Sequence, residues 1–250
     1  MTRLDGKVAL VTGATRGLGF AIARGLVAAG ATVVVSSRKQ ESCVAAAEAI
    51  TKETGVAAVP LALHVGQWED IEPAIAWVFR ELGGLDVLVN NAGIAPLAAT
   101  LESASEALFD KTIEVNLKGP FRLMAVAGAR MAAAGGGSIV NISSIGAVRP
   151  SPPEAMYAAS KSGLNALTLA FAQEYAPLVR VNCVMPGAFA TDMAESWDDE
   201  FTSKVVDRLP AGRLGHPDEV VGMVVHLAGA GAGYTTGAVI PVDGGRTAVY

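Results

Sequence analysis

Short β-branched apolar runs alternate with longer stretches of helical spacing from one end of the chain to the other. The apolar runs are Val8–Val11, Thr32–Ser36, Ala58–Leu61, Leu85–Val89, Ser138–Ile142, Arg180–Val184 and Ala238–Val242. Several are apolar without alternation, as parallel strands covered on both faces must be. Between them the 3.6-residue spacing predicts helices over Leu18–Ala29, Cys43–Glu53, Ile71–Leu82, Glu106–Ala134, Ala155–Tyr175 and Asp218–Ala228. Strand and helix repeated in this order give a parallel sheet with helices on both faces. No Pro/Ser-rich linker, charge run or internal repeat breaks the pattern, so one domain over residues 1–250 is expected. The one long irregular stretch, Gly187 to about Pro217, has room for one or two loosely attached helices.

Composition narrows the class. Apolar residues make up 51% of the 250 positions and glycines number 28, which excludes a disordered chain. A net charge of −5 argues against general affinity for nucleic acid or anionic membrane. Mean hydropathy is +0.40, yet the longest apolar stretch, Val220 to Gly233, contains His226 and four glycines and is too short to span a bilayer. The N-terminal residues show no secretory pattern. Cys43 and Cys183 form no CxxC and fit buried packing in a reducing compartment, so a cytoplasmic protein is expected. His64, His216 and His226 have no metal-ligand spacing.

The first apolar run leads straight into Thr12-Gly13-Ala14-Thr15-Arg16-Gly17-Leu18-Gly19, followed by an alanine-rich helix. Glycines there let backbone approach a pyrophosphate, and the helix start offers free N–H groups and a partial positive charge. The spacing is GxxxGxG, and strand, turn and helix stand in the order that dinucleotide binding needs. A glycine cluster also marks ordinary tight turns, and methyltransferases use a Gly-rich first turn as well.

Tyr157 and Lys161 lie four apart in a predicted helix, so both emerge from one face. A free tyrosine, with a pKa of about 10, is a poor base near neutrality. An ammonium group beside it, helped by an oxidised nicotinamide, favours the phenolate, which can exchange a proton with an alcohol or carbonyl while hydride moves. Any helix can carry Tyr and Lys at this spacing, and the pair alone reads equally as a surface contact.

Taken with its neighbours, the pair belongs to a larger pattern. The Thr12–Gly19 turn, Asn90-Asn91-Ala92-Gly93, Asn116, Asn141-Ile142-Ser143-Ser144, Tyr157-Ala158-Ala159-Ser160-Lys161, Pro186-Gly187 and Asp243-Gly244-Gly245 follow in order. In this set the chain resembles the short, single-domain branch of the short-chain dehydrogenase/reductase family over essentially its whole length. The resemblance implies a doubly wound, Rossmann-type α/β domain with a seven-stranded parallel sheet. It implies metal-free hydride transfer between a nicotinamide cofactor and a ketone, aldehyde or alcohol. Tyr157 would be the acid/base, Lys161 would hold the nicotinamide ribose and tune Tyr157, and Ser144 would bond the reacting oxygen. Ser143 would cap or bond backbone, and Asn116 would shape a proton relay through its backbone carbonyl or interrupt its helix near Gly119-Pro120. Gly13, Thr15, Arg16, Gly17, Leu18 and Gly19 would hold the pyrophosphate side. Asn90, Ala92 and Gly93 would line the adenosine, with Pro186, Gly187 and Thr191 near the nicotinamide. Substrate would sit under a lid at about residues 188–215, chiefly Asp192 to Leu209, its Met193, Trp197 and Phe201 turned inward and its acids outward.

Two positions depart from, or choose within, the family pattern. His64-Val65 stands at the end of the third strand, where an Asp-Val usually meets the adenine amine. The second strand ends Ser36-Ser37-Arg38-Lys39, with no acid before Glu41. An acid there would bond the ribose 2′-hydroxyl of NAD, whereas Ser37 with Arg38, and Arg16 opposite, suits the 2′-phosphate of NADP(H). NADP(H) is therefore the expected cofactor, with NAD(H) as the other choice. The resemblance also implies a homotetramer built on small-residue faces around Ala125–Ala133 and Ala166–Ala172. Those faces could equally pack on the chain's own sheet. Carbonyl reductases, 3-oxoacyl-carrier-protein reductases and sugar-acid dehydrogenases share the pattern, and Ser36-Ser37-Arg38 with His64-Val65-Gly66 leans toward the first. Arg122 and Arg130 on one helix do not establish a docking patch for an acyl carrier protein. A sugar-nucleotide epimerase would need a larger C-terminal substrate domain, and a silent dinucleotide-binding protein would not need Ser144, Tyr157 and Lys161 together.

Overall fold

Seven parallel strands form one sheet in the computed structural model, which describes residues 2–191 and 197–249. In chain order they are β1 (Val8–Thr12), β2 (Thr32–Ser37), β3 (Val59–Ala62), β4 (Val87–Asn90), β5 (Gly137–Ile142), β6 (Val179–Pro186) and β7 (Val239–Val242). Their spatial order is β3-β2-β1-β4-β5-β6-β7. The order reverses between β1 and β4, where Val8 pairs with Thr32 on one side and Ala9 with Val87 on the other. A crevice opens at such a reversal, beyond the carboxyl ends of the strands.

Helices cover both faces: α1 (Gly17–Ala28), α2 (Gln40–Thr54), α3 (Trp68–Leu82), α4 (Glu106–Ile113), α5 (Gly119–Ala133), α6 (Ala155–Glu174), α7 (Asp199–Val206) and α8 (Val221–Ala228). Strand residues feed the two layers alternately. Ala9, Val11, Val33 and Val35 pack with Ile22, Leu26, Ile50, Val224 and Leu227 on one face. Leu10, Val34 and Leu88 pack with Ile71, Ile75, Leu123, Met131 and Leu164 on the other. Both faces of each strand are therefore apolar, and the runs show no alternation. Pro60, which cannot donate to a ladder, sits on β3 at the sheet edge, where that loss is tolerated.

The stretch expected as one helix over Glu106–Ala134 is two. Ser105 caps α4, its side chain accepting from the Leu108 N–H, and a π-helical turn over Glu114–Lys118 separates α4 from α5. The Gly119 N–H bonds the Glu114 carbonyl, five residues back. Pro120, lacking an N–H, denies the Asn116 carbonyl its α-helical partner. The last expected helix also begins differently. Pro217–Val220 forms a 3₁₀ turn opened by His216, whose N–H donates to Glu219 Oε2 (2.7 Å).

Candidate active site

The glycine turn is built by close approach to the end of β4. A Cβ on Gly13 would lie 2.8 Å from Ala92 Cα, and Gly13 has φ +64°, open to glycine at little cost. A Cβ on Gly19 would overlap Asn91 Nδ2 and the Gly13 carbonyl. Arg16 precedes α1 in extended conformation and does not cap it with its side chain. The first turn of α1 thus offers N–H groups to an anion. Thr15, Gly17 and Leu18 are half-buried around it, and the Thr191 methyl lies 3.6 Å from where a Gly17 Cβ would stand.

Two residues to which the sequence assigned no role hold this turn. Thr12 is 1% exposed; its hydroxyl accepts from the N–H groups of Asn91 (3.0 Å) and Ala92 (3.1 Å) and donates to the Val89 carbonyl (3.3 Å). Asn91 Nδ2 donates to the carbonyls of Thr12 (2.9 Å) and Gly13 (3.1 Å). Both stand inside motifs legible in the chain, but the strand adjacency that gives them work is tertiary. Asn90, expected beside the adenosine, turns its side chain into the core. Its Nδ2 donates to Asn141 Oδ1 (2.9 Å), and Asn141 donates on to Thr168 Oγ1 (2.9 Å).

At the end of β2, Ser37 is half-buried, Arg38 is exposed, and the first acid is Glu41 in the first turn of α2. At the end of β3, His64 Nδ1 accepts from the Gly66 N–H (3.1 Å), and Nε2 stands 3.4 Å from Lys111 Nζ. Burial, then the Lys111 charge, holds the His64 pKa below its ordinary value, so the ring is neutral near pH 7. Val65 is buried, its carbonyl packed tightly against Gly119. Pro186 ends β6, and a Cβ on Gly187 would meet Asp243 Cα at 2.7 Å.

Ser144, Tyr157 and Lys161 come together beyond β5. Ser144 Oγ accepts from the Gly146 N–H (3.1 Å), and Gly146 packs against the Tyr157 ring. Lys161 is buried, its Nζ donating to the Ile142 carbonyl (2.8 Å) and lying 5.8 Å from the Tyr157 ring centre. A Cβ on Gly93 would come within 3.5 Å of that Nζ. Ser143 Oγ donates to the Lys161 carbonyl (3.2 Å), a backbone role as expected. Asn116 spends its carboxamide on structure: Oδ1 accepts from Ile94 N (2.9 Å), and Nδ2 donates to the Ile94 carbonyl (2.8 Å) and Ser160 Oγ (3.0 Å). It ties the loop after Gly93 to α6.

The lowered tyrosine was expected with Lys161 and an oxidised nicotinamide together; the protein alone acts in the other direction. Burial raises the Tyr157 pKa, a Ser144 hydrogen bond opposes this, and the Glu154 charge raises it further. Lys161 is itself pulled down to about 8 by burial. These side chains alone leave Tyr157 a phenol at neutral pH. Burial pushes the neighbouring Cys183 thiol up to about 11, so it is not a thiolate nucleophile.

Of the expected lid, Asp192, Met193, Ala194, Glu195 and Ser196 lie outside the described residues. Trp197 meets Phe201 edge to face at 5.2 Å, Asp198 caps α7 through the Phe201 N–H, and Phe201 is 48% exposed. Asp199 and Glu200 face solvent as expected, whereas Phe201 is not tucked inward. No described helix is long and apolar enough to cross a membrane, and the described residues hold no His/Cys/Asp/Glu cluster suited to a metal ion.

Comparison with known proteins places these features in a family. Residues 13–247 match the family model described as enoyl-(acyl carrier protein) reductase. The chain is 41% identical to human dehydrogenase/reductase SDR family member 4, over 98% of this chain and 90% of that protein. It is 38% identical to the 3-oxoacyl-[acyl-carrier-protein] reductase of Aquifex aeolicus, over 97% and 98% of the two chains. It superposes with TM-score 0.95 on a gluconate 5-dehydrogenase from Burkholderia cenocepacia, solved in complex with NADP and tartrate, at 35% identity over 99% and 98% of the two chains. Strand order, glycine turn, the Ser144–Tyr157–Lys161 cluster and these likenesses agree, and the chain belongs to the short-chain dehydrogenase/reductase family of NAD(P)-dependent oxidoreductases.

Proposed function

We propose that this chain is an NADP(H)-dependent carbonyl reductase acting reversibly as an alcohol dehydrogenase, with the whole chain as one catalytic domain. The observation that carries the reading is the convergence of Ser144 Oγ, the Tyr157 ring and the buried Lys161 ammonium beside Gly93, at the carboxyl edge of the sheet. The cradle suits a dinucleotide: the Gly13–Gly19 turn has room only for glycine at its crossing with Asn91, and the start of α1 faces it uncapped. Gly13, Thr15, Arg16, Gly17, Leu18 and Gly19 would hold the phosphates, and Ser37 with Arg38 the adenosine 2′-phosphate. Ala92, Gly93, Pro186, Gly187 and Thr191 would line the remainder. His64 has its Nδ1 engaged by the Gly66 N–H and its Nε2 beside Lys111 Nζ, so the ring does not offer adenine the acceptor that an Asp supplies.

When bound, the nicotinamide supplies or accepts the hydride. Tyr157 holds a proton at its phenol and gives it to the carbonyl oxygen, while Ser144 Oγ bonds that oxygen and orients it. Lys161 keeps a positive charge behind Tyr157, which favours the phenolate left after transfer. The Asn116 carbonyl, whose α-helical partner Pro120 cannot supply, would accept from a water through which the site is reprotonated. The Glu154 carboxylate beside Tyr157 favours neutral ketones and aldehydes over sugar acids, the second reading that the likeness to a gluconate dehydrogenase brings. Exposed Phe121 and Leu169 on α5 and α6 would form the tetramer contacts, while Gly128 is taken up by Tyr175 of the same chain. The test is Tyr157→Phe followed by NADPH oxidation at 340 nm with a carbonyl panel. Loss of about 10²- to 10⁴-fold in kcat is expected, with NADPH binding retained. A variant with near-full kcat would sink the assignment.

A further inference from the structure

The turn that follows β7 bonds both the segment after β6 and the turn that starts at Ser144. Asp243 organises it: Oδ1 accepts from the Gly245 N–H (2.9 Å), and Oδ2 accepts from the Thr247 N–H and hydroxyl (2.7 Å each). On one side this turn carries both stems of the segment that runs from β6 through α7. The Gly187 N–H donates to the Val242 carbonyl (2.9 Å), and Gly187 is pressed against Asp243. At the far stem, the Ala211 N–H donates to the Gly244 carbonyl (2.9 Å), and Gly245 abuts the Pro210 ring.

On the other side Arg149 holds the same turn. Arg149 Nη2 donates to the carbonyls of Thr247 (3.2 Å) and Val249 (2.9 Å). Arg149 ends the short turn that starts at Ser144, and that turn is stiff. The Arg149 N–H donates to the Ile145 carbonyl (2.8 Å), the Gly146 N–H to Ser144 Oγ (3.1 Å), and Ser162 Oγ to the Ala147 carbonyl (2.6 Å). Both bonds leave one guanidinium nitrogen, so a single group fixes two carbonyls at once, held in place by the planar head of the side chain.

We propose that residues Asp243–Val249 form a clasp joining the Ser144 turn to the stems of the α7 segment, and that Arg149 is the positioning residue that closes it. The clasp sets the width of the substrate site; it stays clear of the phosphate and adenosine ends of the cradle at β1, β2 and β4 and meets the cradle through Gly187. It rests on the reading of Ser144 and Tyr157 as the reacting pair. Thr247 and Val249 are bonded through backbone carbonyls, so the nature of their side chains matters less than their reach from Asp243.

The experiment compares wild type, Arg149→Ala and Arg149→Lys in steady-state kinetics, NADPH binding by fluorescence and amide hydrogen exchange. For Arg149→Ala, the KM for the carbonyl substrate rises about tenfold, with kcat and NADPH affinity each within about threefold, and Arg149→Lys recovers part of the loss. Exchange speeds up together in the 145–149 and 245–249 peptides. An unchanged KM, or a loss of kcat, NADPH affinity and KM alike, overturns the proposal. Should the wild type turn over no carbonyl, the catalytic reading fails on its own. The exchange measurement then still decides: joint acceleration in the two peptides supports the clasp, and no acceleration in either removes it.

Discussion

Replacing Thr12 with valine keeps the volume and branching of the side chain and removes only its hydroxyl. That oxygen is buried, so what it leaves behind stays dry. The Ala92 N–H (3.1 Å) loses its partner outright, while the Asn91 N–H (3.0 Å) retains a bent contact with the Val89 carbonyl at 3.2 Å. A buried donor left unsatisfied costs about 1–3 kcal/mol, so one full orphan and one weakened bond together give about 2–4 kcal/mol. For a chain of this size that lowers Tm by roughly 5–15 °C. The loss falls where the glycine turn crosses β4, so dinucleotide affinity drops with it. Thr12→Ser keeps the hydroxyl and loses one methyl, costing about 1 kcal/mol. Thermal denaturation of the three proteins, with and without NADPH, checks this. A valine variant that melts with the serine variant and binds NADPH as tightly would show that Thr12 is mere packing.

NADPH is expected over NADH in kcat/KM, and Ser37→Asp should reverse or erase that preference, because a carboxylate repels the 2′-phosphate and bonds a 2′-hydroxyl; a preference left unmoved refutes the reading of β2. Lys161 titrates at about 8 in the folded chain against 10.5 ordinarily, so the unfolded state holds more protons between those values and stability rises with pH there. The gain is at most about 3 kcal/mol, and Cys183, raised from 9.0 to about 11, opposes it above pH 9, where the unfolded thiol ionises first. Urea denaturation should therefore show stability climbing between pH 8 and 9, and Lys161→Met should abolish the climb.

Much of the molecule was legible in its residues because the fold repeats one unit. Apolar runs without alternation need cover on both faces, and β1 to β7 lie within a few residues of where that requirement put them. The glycine turn and the Tyr157–Lys161 spacing were legible too, since each is a local geometric demand made by a few neighbouring positions. Other features were decided by contacts between distant segments. Periodicity carried a single helix across Glu114–Lys118, because the π turn shifts the hydrogen-bond register without disturbing the apolar spacing. Asn90 and Asn91 are identical neighbours on a strand end, yet alternation sends one to Asn141 in the core and the other to the glycine turn. The lowering of the Tyr157 pKa was expected from Lys161 together with an oxidised nicotinamide, whereas burial in the protein alone pushes it up. Thr12, Arg149 and Asp243 gain their work only when β4 and the chain's last turn arrive beside them. Local sequence sets what each segment can form, whereas burial and the pairing of remote polar groups exist only once the chain has closed on itself.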